Sequence, residues 1–191
     1  ESPGVSGGGT WGDFDGDGDL DVFVVNELTE FRSLLPDRDA SGSFLLRNDG
    51  GTLVSANEEC ACELVIDGMG VDVGDTNRDG LPDIFIGATN GTWLLQMLED
   101  RSFVDVTLVQ GADVISTTGP MGWGVRVLDF DNDGLQDLMV VEGDLWHEFT
   151  EIPWVLEEPI ELMRQRSDGT GFERVTEEVG RREQPFSTPP K

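Results

Sequence analysis

The chain has few basic residues, and this shortage limits the partners it can have. Its 191 residues include 12 Lys and Arg against 39 Asp and Glu, which gives a net charge of −27. A surface this acidic repels phosphate, so nucleic acid is not expected as a partner and an anionic membrane surface is a poor one. The sequence also lacks an apolar run long enough to cross a bilayer, so direct membrane insertion is not expected.

Histidine and cysteine are scarce as well, which restricts the chemistry. The one His of the sequence, His147, stands among Glu and aromatic residues and completes no set of nucleophile and base. We therefore do not expect an enzyme. Cys60 and Cys62 form a Cys-x-Cys pair, and with a single His they are too few for a zinc site. They are expected to form either a tight, strained local disulfide or two thiols that are buried or paired separately.

One acidic motif, by contrast, occurs three times. The copies span residues 13–21, 75–83 and 129–137, and each fits Asp-x-Asp/Asn-x-Asp-Gly-x-x-Asp. The first Asp residues lie 62 and then 54 positions apart. Asp and Gly favour turns, so one copy could be an ordinary acidic turn. Three copies in register indicate a structural repeat.

The motif has the composition of a loop that binds a hard cation. Calcium takes about six to eight oxygen ligands, and carboxylates at positions 1, 3, 5 and 9 with a carbonyl at position 7 would supply them. The Gly at position 6 permits the sharp turn that closes the loop. We expect about three calcium ions, one in each loop. The predicted ligands are Asp13, Asp15, Asp17, Asp19 and Asp21 in the first loop, Asp75, Asn77, Asp79, Leu81 and Asp83 in the second, and Asp129, Asp131, Asp133, Leu135 and Asp137 in the third.

The second loop departs from the other two. Asn77 replaces the carboxylate at position 3, and Arg78 adds a positive charge beside it. Both changes make the loop less negative. We therefore expect the second loop to bind calcium more weakly than the first and third.

The residues around the loops exclude an EF-hand. An EF-hand carries Glu at position 12 and is flanked by helices. Here position 12 is Val24, Ile86 or Val140. The flanking segments, such as 20–25 and 70–74, are short and rich in β-branched residues, which is typical of strands. Each loop is therefore predicted to join two strands.

Each loop belongs to a longer unit. A Gly lies five residues before the first Asp of each copy, and a second apolar segment, a polar turn and a final short strand follow downstream. Four short strands per unit at a period of about 50 residues predict an all-β fold of β-propeller blades. The approximate units are 5–57, 64–110 and 118–179, and residues 180–191 form a tail or the start of a further blade.

The units resemble FG-GAP/VCBS-type repeats, the calcium-binding blades of integrin α-subunit heads. The closer resemblance is to secreted proteins of the ASPIC/UnbV and cartilage-acidic-protein type, and residues 44–51 and 172–176 carry the end of that pattern. The resemblance implies that the loop Asp and Asn residues hold the metal. Repeated metal loops without a catalytic set predict a non-catalytic module for protein interaction or adhesion. Loops of this kind suit a compartment where calcium is abundant, so we expect the protein to be extracellular, at the cell surface or periplasmic.

The number of blades raises the question of a partner. Three four-stranded units are fewer than the usual range of about four to eight blades, and an open arc leaves edge strands exposed. We favour a chain that is part of a larger propeller, and Glu1 at the start predicts processing or truncation. The alternative is an arc that closes against a partner chain. Other protein chains or missing blades of the same protein are the expected partners.

The third unit contains a long link, residues 142–159, that includes Trp146, Phe149 and Trp154. Long loops on a rigid scaffold often carry binding sites, and aromatic rings beside acids suit a glycan or a protein. The same side chains could instead cap the blade. The alternative functions are therefore a carbohydrate-binding module with glycan partners, or a structural subunit of a secreted or membrane-associated assembly.

Overall fold

A computed structural model describes residues 5–27, 42–60, 62, 64–89, 91–114, 121–143 and 160–176. Short strands dominate these ranges, and two helices of four residues each, α1 (Asn57–Cys60) and α2 (Thr107–Gln110), accompany them. The strands are β1 (Val5–Gly12), β2 (Asp21–Glu27), β3 (Phe44–Asp49), β4 (Thr52–Ser55), β5 (Gly68–Gly74), β6 (Asp83–Ala88), β7 (Gly91–Met97), β8 (Phe103–Asp105), β9 (Met121–Leu128), β10 (Asp137–Gly143), β11 (Ile160–Gln165) and β12 (Phe172–Arg174).

The strands form three four-stranded sheets, each in chain order. We call them blade one (β1 to β4), blade two (β5 to β8) and blade three (β9 to β12). Every pairing within a blade is antiparallel. The predicted all-β fold of three four-stranded blades is confirmed.

Each acidic loop joins the first two strands of its blade, as predicted. The loop follows β1, β5 or β9, and the Asp at position 9 is the first residue of β2, β6 or β10. The two short helices were not predicted. They follow β4 and β8, away from the acidic loops, and four residues are too few to show a helical repeat in the sequence.

Glycine sets the spacing between blades. A Cβ added at Gly70 of β5 would lie 2.5 Å from the carbonyl oxygen of Trp123 in β9. A Cβ added at Gly87 of β6 would lie 2.5 Å from the carbonyl oxygen of Gly122. Only a residue without a side chain lets the two backbones approach this closely. Gly70, which precedes the second acidic loop, is therefore a contact position between blades two and three.

The hydrophobic cores lie between the blades. One core joins blades one and two, where the rings of Phe14, Phe23 and Phe103 pack with centroids 6.3 to 6.5 Å apart. A second core joins blades two and three and includes the fully buried Phe85 and Leu138. Blade two is consequently covered on both faces.

Cys60 and Cys62 form a disulfide at the end of α1. Both residues are buried in the core between blades one and two, with 3% and 0% of their surface exposed. Of the two alternatives that the sequence left open, the structure has the local disulfide.

Candidate metal centre

The first and third loops each bring three carboxylates to one point. Oxygen atoms of Asp13, Asp15 and Asp21 lie within 4.8 Å of one another. The carboxylates of residues 129, 131 and 137 form the equivalent cluster. Two oxygens that bind one calcium ion at about 2.3–2.6 Å can be at most about 5 Å apart. Positions 1, 3 and 9 of these two loops therefore fit a single hard cation.

The second loop has a different arrangement at position 3. The side-chain nitrogen of Asn77 donates to the Asp79 carboxylate at 2.9 Å, a bond that an Asp at position 3 cannot make, whereas the bond from the backbone N–H of position 5 to position 3 is shared with the first loop. Within the described residues, clusters of three acidic side chains occur in the first and third loops and not in the second. Weaker calcium binding by the second loop remains a prediction, and the hydrogen bond from the Asn77 amide to Asp79 supports it.

The Asp at position 1 shapes the loop backbone. Asp129 accepts the backbone N–H groups of Asp133 and Gly134, each at 3.0 Å. Asp13 and Asp75 accept two N–H groups of their own loops in the same way, at 2.8 to 3.1 Å. The loop thus winds around its first carboxylate, which fixes where the later side chains lie.

Two residues of each loop have the left-handed backbone conformation. At position 6 the φ angles are 95°, 84° and 85° for Gly18, Gly80 and Gly134, which explains the predicted glycine. Position 4 also has positive φ, including 62° at both Arg78 and Asn132. The sequence motif gave no indication of this second requirement. Asn tolerates the conformation and Arg does so less readily, so the second loop is the strained member.

The Asp at position 5 does not join the clusters. In all three loops its carboxylate accepts the backbone N–H of position 7 at 2.8 Å. Asp17 and Asp133 lie outside the groups of three carboxylates. In the first and third loops the structure therefore brings together positions 1, 3 and 9 of the predicted ligand set, while position 5 closes the turn. The backbone N–H of position 7 donates to this Asp, and the carbonyl that position 7 is predicted to offer to the metal is a separate group.

The Asp at position 9 has a role that the sequence did not reveal. Asp137 is completely buried, and its two oxygens accept the backbone N–H groups of Phe130 in the loop at 3.1 Å and of Gln165 in β11 at 2.8 Å. Asp21 and Asp83 make the same pair of bonds in their own blades. This carboxylate ties the loop to the third strand of the blade. The one indication of this role in the sequence was that the Asp lies at the start of a segment predicted to be a buried strand.

Burial also changes the acidity of these groups. Desolvation raises the pKa of Asp83 to about 6 and raises the pKa of Asp137. The pKa of Asp15 is raised by burial, and the neighbouring carboxylates of Asp13 and Asp17 add to the effect. A raised pKa means that the ionised form lacks sufficient stabilisation in the metal-free chain. A bound cation would supply it.

Two arginines contact the Asp at position 3. Arg164 of β11 donates from its Nε to Asp131 at 2.9 Å, and its guanidinium lies 5.6 Å from the centre of the Phe130 ring. Arg47 of β3 places its Nε 3.7 Å from Asp15. The two arginines hold equivalent places in the third strand of their blades. Each directly follows the third-strand residue that pairs with the residue after the last Asp of the acidic loop.

Blade two has neither member of this pair. Gln96 stands where the other blades have Arg, and Asn77 stands where they have Asp. The acidic and basic side chains therefore occur together or are absent together. Sequence reasoning missed the two arginines, although they follow the Asp at position 3 of their loops at nearly equal separations, 32 residues in the first unit and 33 in the third.

Comparison with known families identifies the repeat. The sequence model for the FG-GAP-like repeat matches residues 13–86 and 75–140, which is more than half of the chain, and both matches begin at the first Asp of an acidic loop. The chain belongs to the FG-GAP-like repeat family. No curated protein matches it. FG-GAP repeats are non-enzymatic structural or interaction modules that typically occur in extracellular proteins.

Other predictions remain open. The closer likeness to ASPIC/UnbV or integrin proteins stays a prediction. The candidate binding residues Trp146, Phe149 and Trp154 lie outside the described residues, so the glycan-binding alternative stays a prediction as well. In the ranges that the structure describes, no helix has the length and apolar character needed to span a membrane.

Proposed function

We propose that this FG-GAP-like repeat protein is a calcium-binding, non-catalytic, extracellular β-propeller module that mediates protein interaction or adhesion. The observation that carries the proposal is the convergence of carboxylates at positions 1, 3 and 9 in two loops. Both loops hold the same place in their blades, between the first and second strands. Oxygen-only ligand sets of this kind suit calcium better than softer metals.

The role of calcium in this proposal is architectural. Asp129, Asp131 and Asp137 would hold the ion in the third loop, and the equivalent residues of the first loop would hold another. The ion offsets repulsion among the carboxylates. Because Asp137 also bonds to β11, metal binding at the loop strengthens a joint within the blade. The binding free energy therefore adds to the free energy of unfolding.

The proposed interaction role follows from the family and from the charge. Three calcium ions would change the formal charge from −27 to about −21, so the loaded surface remains strongly acidic. Such a surface attracts basic proteins and repels phosphate. The non-catalytic part of the proposal is supported by the non-enzymatic character of FG-GAP repeats.

Differential scanning calorimetry with calcium or with EDTA tests the metal part. We expect chelation to lower the melting temperature, because the folded chain alone has the assembled carboxylate clusters. Isothermal titration with CaCl₂ should show binding that Asp131→Ala removes from one site, whereas Glu173→Gln, an exposed change in β12, should leave binding intact. An identical melting temperature with and without EDTA would contradict the proposal.

A further inference from the structure

Arg101, in the turn between β7 and β8, has an unfavourable backbone conformation. Its φ angle is 68°, in the left-handed region that glycine adopts most readily. The equivalent position in the turn of blade three is Gly169, with φ at 74°. The two positions correspond because each donates its backbone N–H at 2.9 Å to the carbonyl three residues earlier. Blade two therefore has a long side chain where glycine would be less strained, and such strain often marks a functional residue.

The side chain of Arg101 leaves its own blade and reaches the first acidic loop. Its Nη1 donates to the backbone carbonyl of Phe14, position 2 of that loop, at 3.2 Å. The guanidinium also lies against Gly16 at position 4, where an added Cβ would be 2.5 Å from Nη2. The other two loops have side chains at position 4, those of Arg78 and Asn132. The glycine of the first loop thus leaves the space that the guanidinium occupies.

Phe14 is the residue through which this contact acts on the candidate metal centre. It lies between Asp13 and Asp15, and its backbone N–H donates to Asp21 at 2.8 Å. Those three carboxylates form the cluster of the first loop. Asp21 holds the N–H of Phe14 and Arg101 holds its carbonyl. The peptide groups on both sides of Phe14 are therefore fixed, and with them the backbone that carries the ligands at positions 1 and 3.

The next pair of blades has a contact of the same kind. The side-chain amide of Gln165 in blade three donates to the carbonyl of Thr76, which is position 2 of the second loop. Gln165 is buried, with 6% of its surface exposed. It ends a third strand, whereas Arg101 lies in a turn, so the two side chains start from different places in their blades. Both nevertheless bind the carbonyl at position 2 of the preceding loop, which indicates that holding this carbonyl is the shared role.

We propose that Arg101 is a positioning residue for the first metal centre, through which blade two holds the first loop in the arrangement that binds calcium. This inference rests on the calcium binding proposed above. Removing a side chain that orients metal ligands without touching the metal commonly lowers metal affinity by about tenfold or more. Charge alone acts in the opposite direction, because a guanidinium near the loop repels a cation. Positioning and charge therefore predict opposite changes in affinity when Arg101 is removed.

Calcium titration calorimetry of the full 191-residue chain tests the proposal. With Asp131→Ala present to remove the third site, we expect Arg101→Gly to raise the dissociation constant of the first site about tenfold. Glycine suits the left-handed turn, as Gly169 shows, so this variant should fold. Arg101→Lys keeps a donor and should bind calcium more tightly than Arg101→Gly. The matched control is Arg166→Gly, an exposed change in the corresponding turn of blade three, which should leave the first site unaltered.

Gly16→Asn tests the same contact from the side of the loop. Asn fits the left-handed position 4, as Asn132 shows with φ at 62°, and its side chain would take the space of the guanidinium. We expect this change to weaken calcium binding at the first site when Arg101 is present. In the Arg101→Gly chain it should add little, because no guanidinium is displaced. Effects of the two changes that simply multiply would overturn the proposal.

The sign of the change in affinity decides the role of Arg101. An Arg101→Gly chain that binds calcium as tightly as its parent, or more tightly, overturns the proposal even when its melting temperature in EDTA is lower. The arginine would then act on blade packing or through its charge. A chain with unaltered loops that takes up no calcium refutes the proposed function and this inference together. Calcium binding by the unaltered chain thus distinguishes the two failures.

Discussion

At the scale of single residues, the Asp at position 9 has two separate roles in blades one and three. It faces the candidate metal centre, and it bonds to the backbone of both the loop and the third strand. The Asp at position 3 faces the same centre but bonds to an Arg side chain at the surface. The metal-free stabilities of variants at the two positions should therefore differ.

Asp137→Ala should destabilise the chain even in EDTA. It leaves the N–H groups of Phe130 and Gln165 without acceptors, which costs about 2–4 kcal/mol for two unsatisfied donors. Asp131→Ala in EDTA should cost under about 1 kcal/mol, because it removes only a surface ion pair. Urea unfolding of both variants measures the difference. Equal losses in EDTA would show that the two backbone bonds contribute little.

Arg164→Met should strengthen calcium binding at the third loop. The guanidinium is a fixed positive charge 2.9 Å from an oxygen of Asp131, so it competes with a cation for that carboxylate. Titration calorimetry should show a several-fold lower dissociation constant for one site. Arg166→Met, in the exposed turn after β11, is the control. A weaker site in Arg164→Met would mean that the arginine positions the ligand instead.

At the scale of elements, the sequence predicted those features that depend on residues close to one another along the chain. Loop and strand positions follow from the acidic motif and from the apolar segments beside it. The contacts of Arg47 and Arg164 were missed because each joins residues about 30 positions apart that meet only after the strands pair, a separation that local patterns do not report. The left-handed position 4 was missed because Gly, Arg and Asn share no obvious property there.

The glycines of β5 and β9 provide a matched test of blade packing. Gly70→Ala should destabilise the chain by about 3 kcal/mol, because the added Cβ would lie 2.5 Å from the rigid backbone of Trp123. Gly124→Ala, at the equivalent place in blade three, should cost little since its nearest contact is 3.8 Å away. Thermal unfolding at low protein concentration compares them. Similar melting temperatures would argue against glycine-dependent spacing.

At the scale of the whole molecule, the acidic groups make stability depend on pH. Asp83 has a pKa of about 6 in the fold against 3.8 in an unfolded chain, so the protonated form is favoured by folding. Its stabilising effect is complete below pH 3.8 and is lost as the pH rises through about 6. The pKa values of Asp15 and Asp137 are shifted in the same direction.

In EDTA, the free energy of unfolding should therefore fall between about pH 4 and pH 6.5. Saturating calcium should abolish or reverse this trend, because metal binding requires ionised carboxylates. Urea unfolding at several pH values with and without calcium measures both effects. Metal-free stability that rises across this range would contradict the burial argument for Asp83.

The backbone contact between Gly70 and Trp123 also has an evolutionary consequence. This contact joins two main chains, so it requires a glycine on one side and no particular side chain on the other, whereas the apolar cores beside it must still fit. Blades of different sequence can then follow one another as long as the glycine and the apolar character of the packed strands are kept. Chains assembled from this repeat are accordingly expected to differ in length by whole units more readily than by fractions of one.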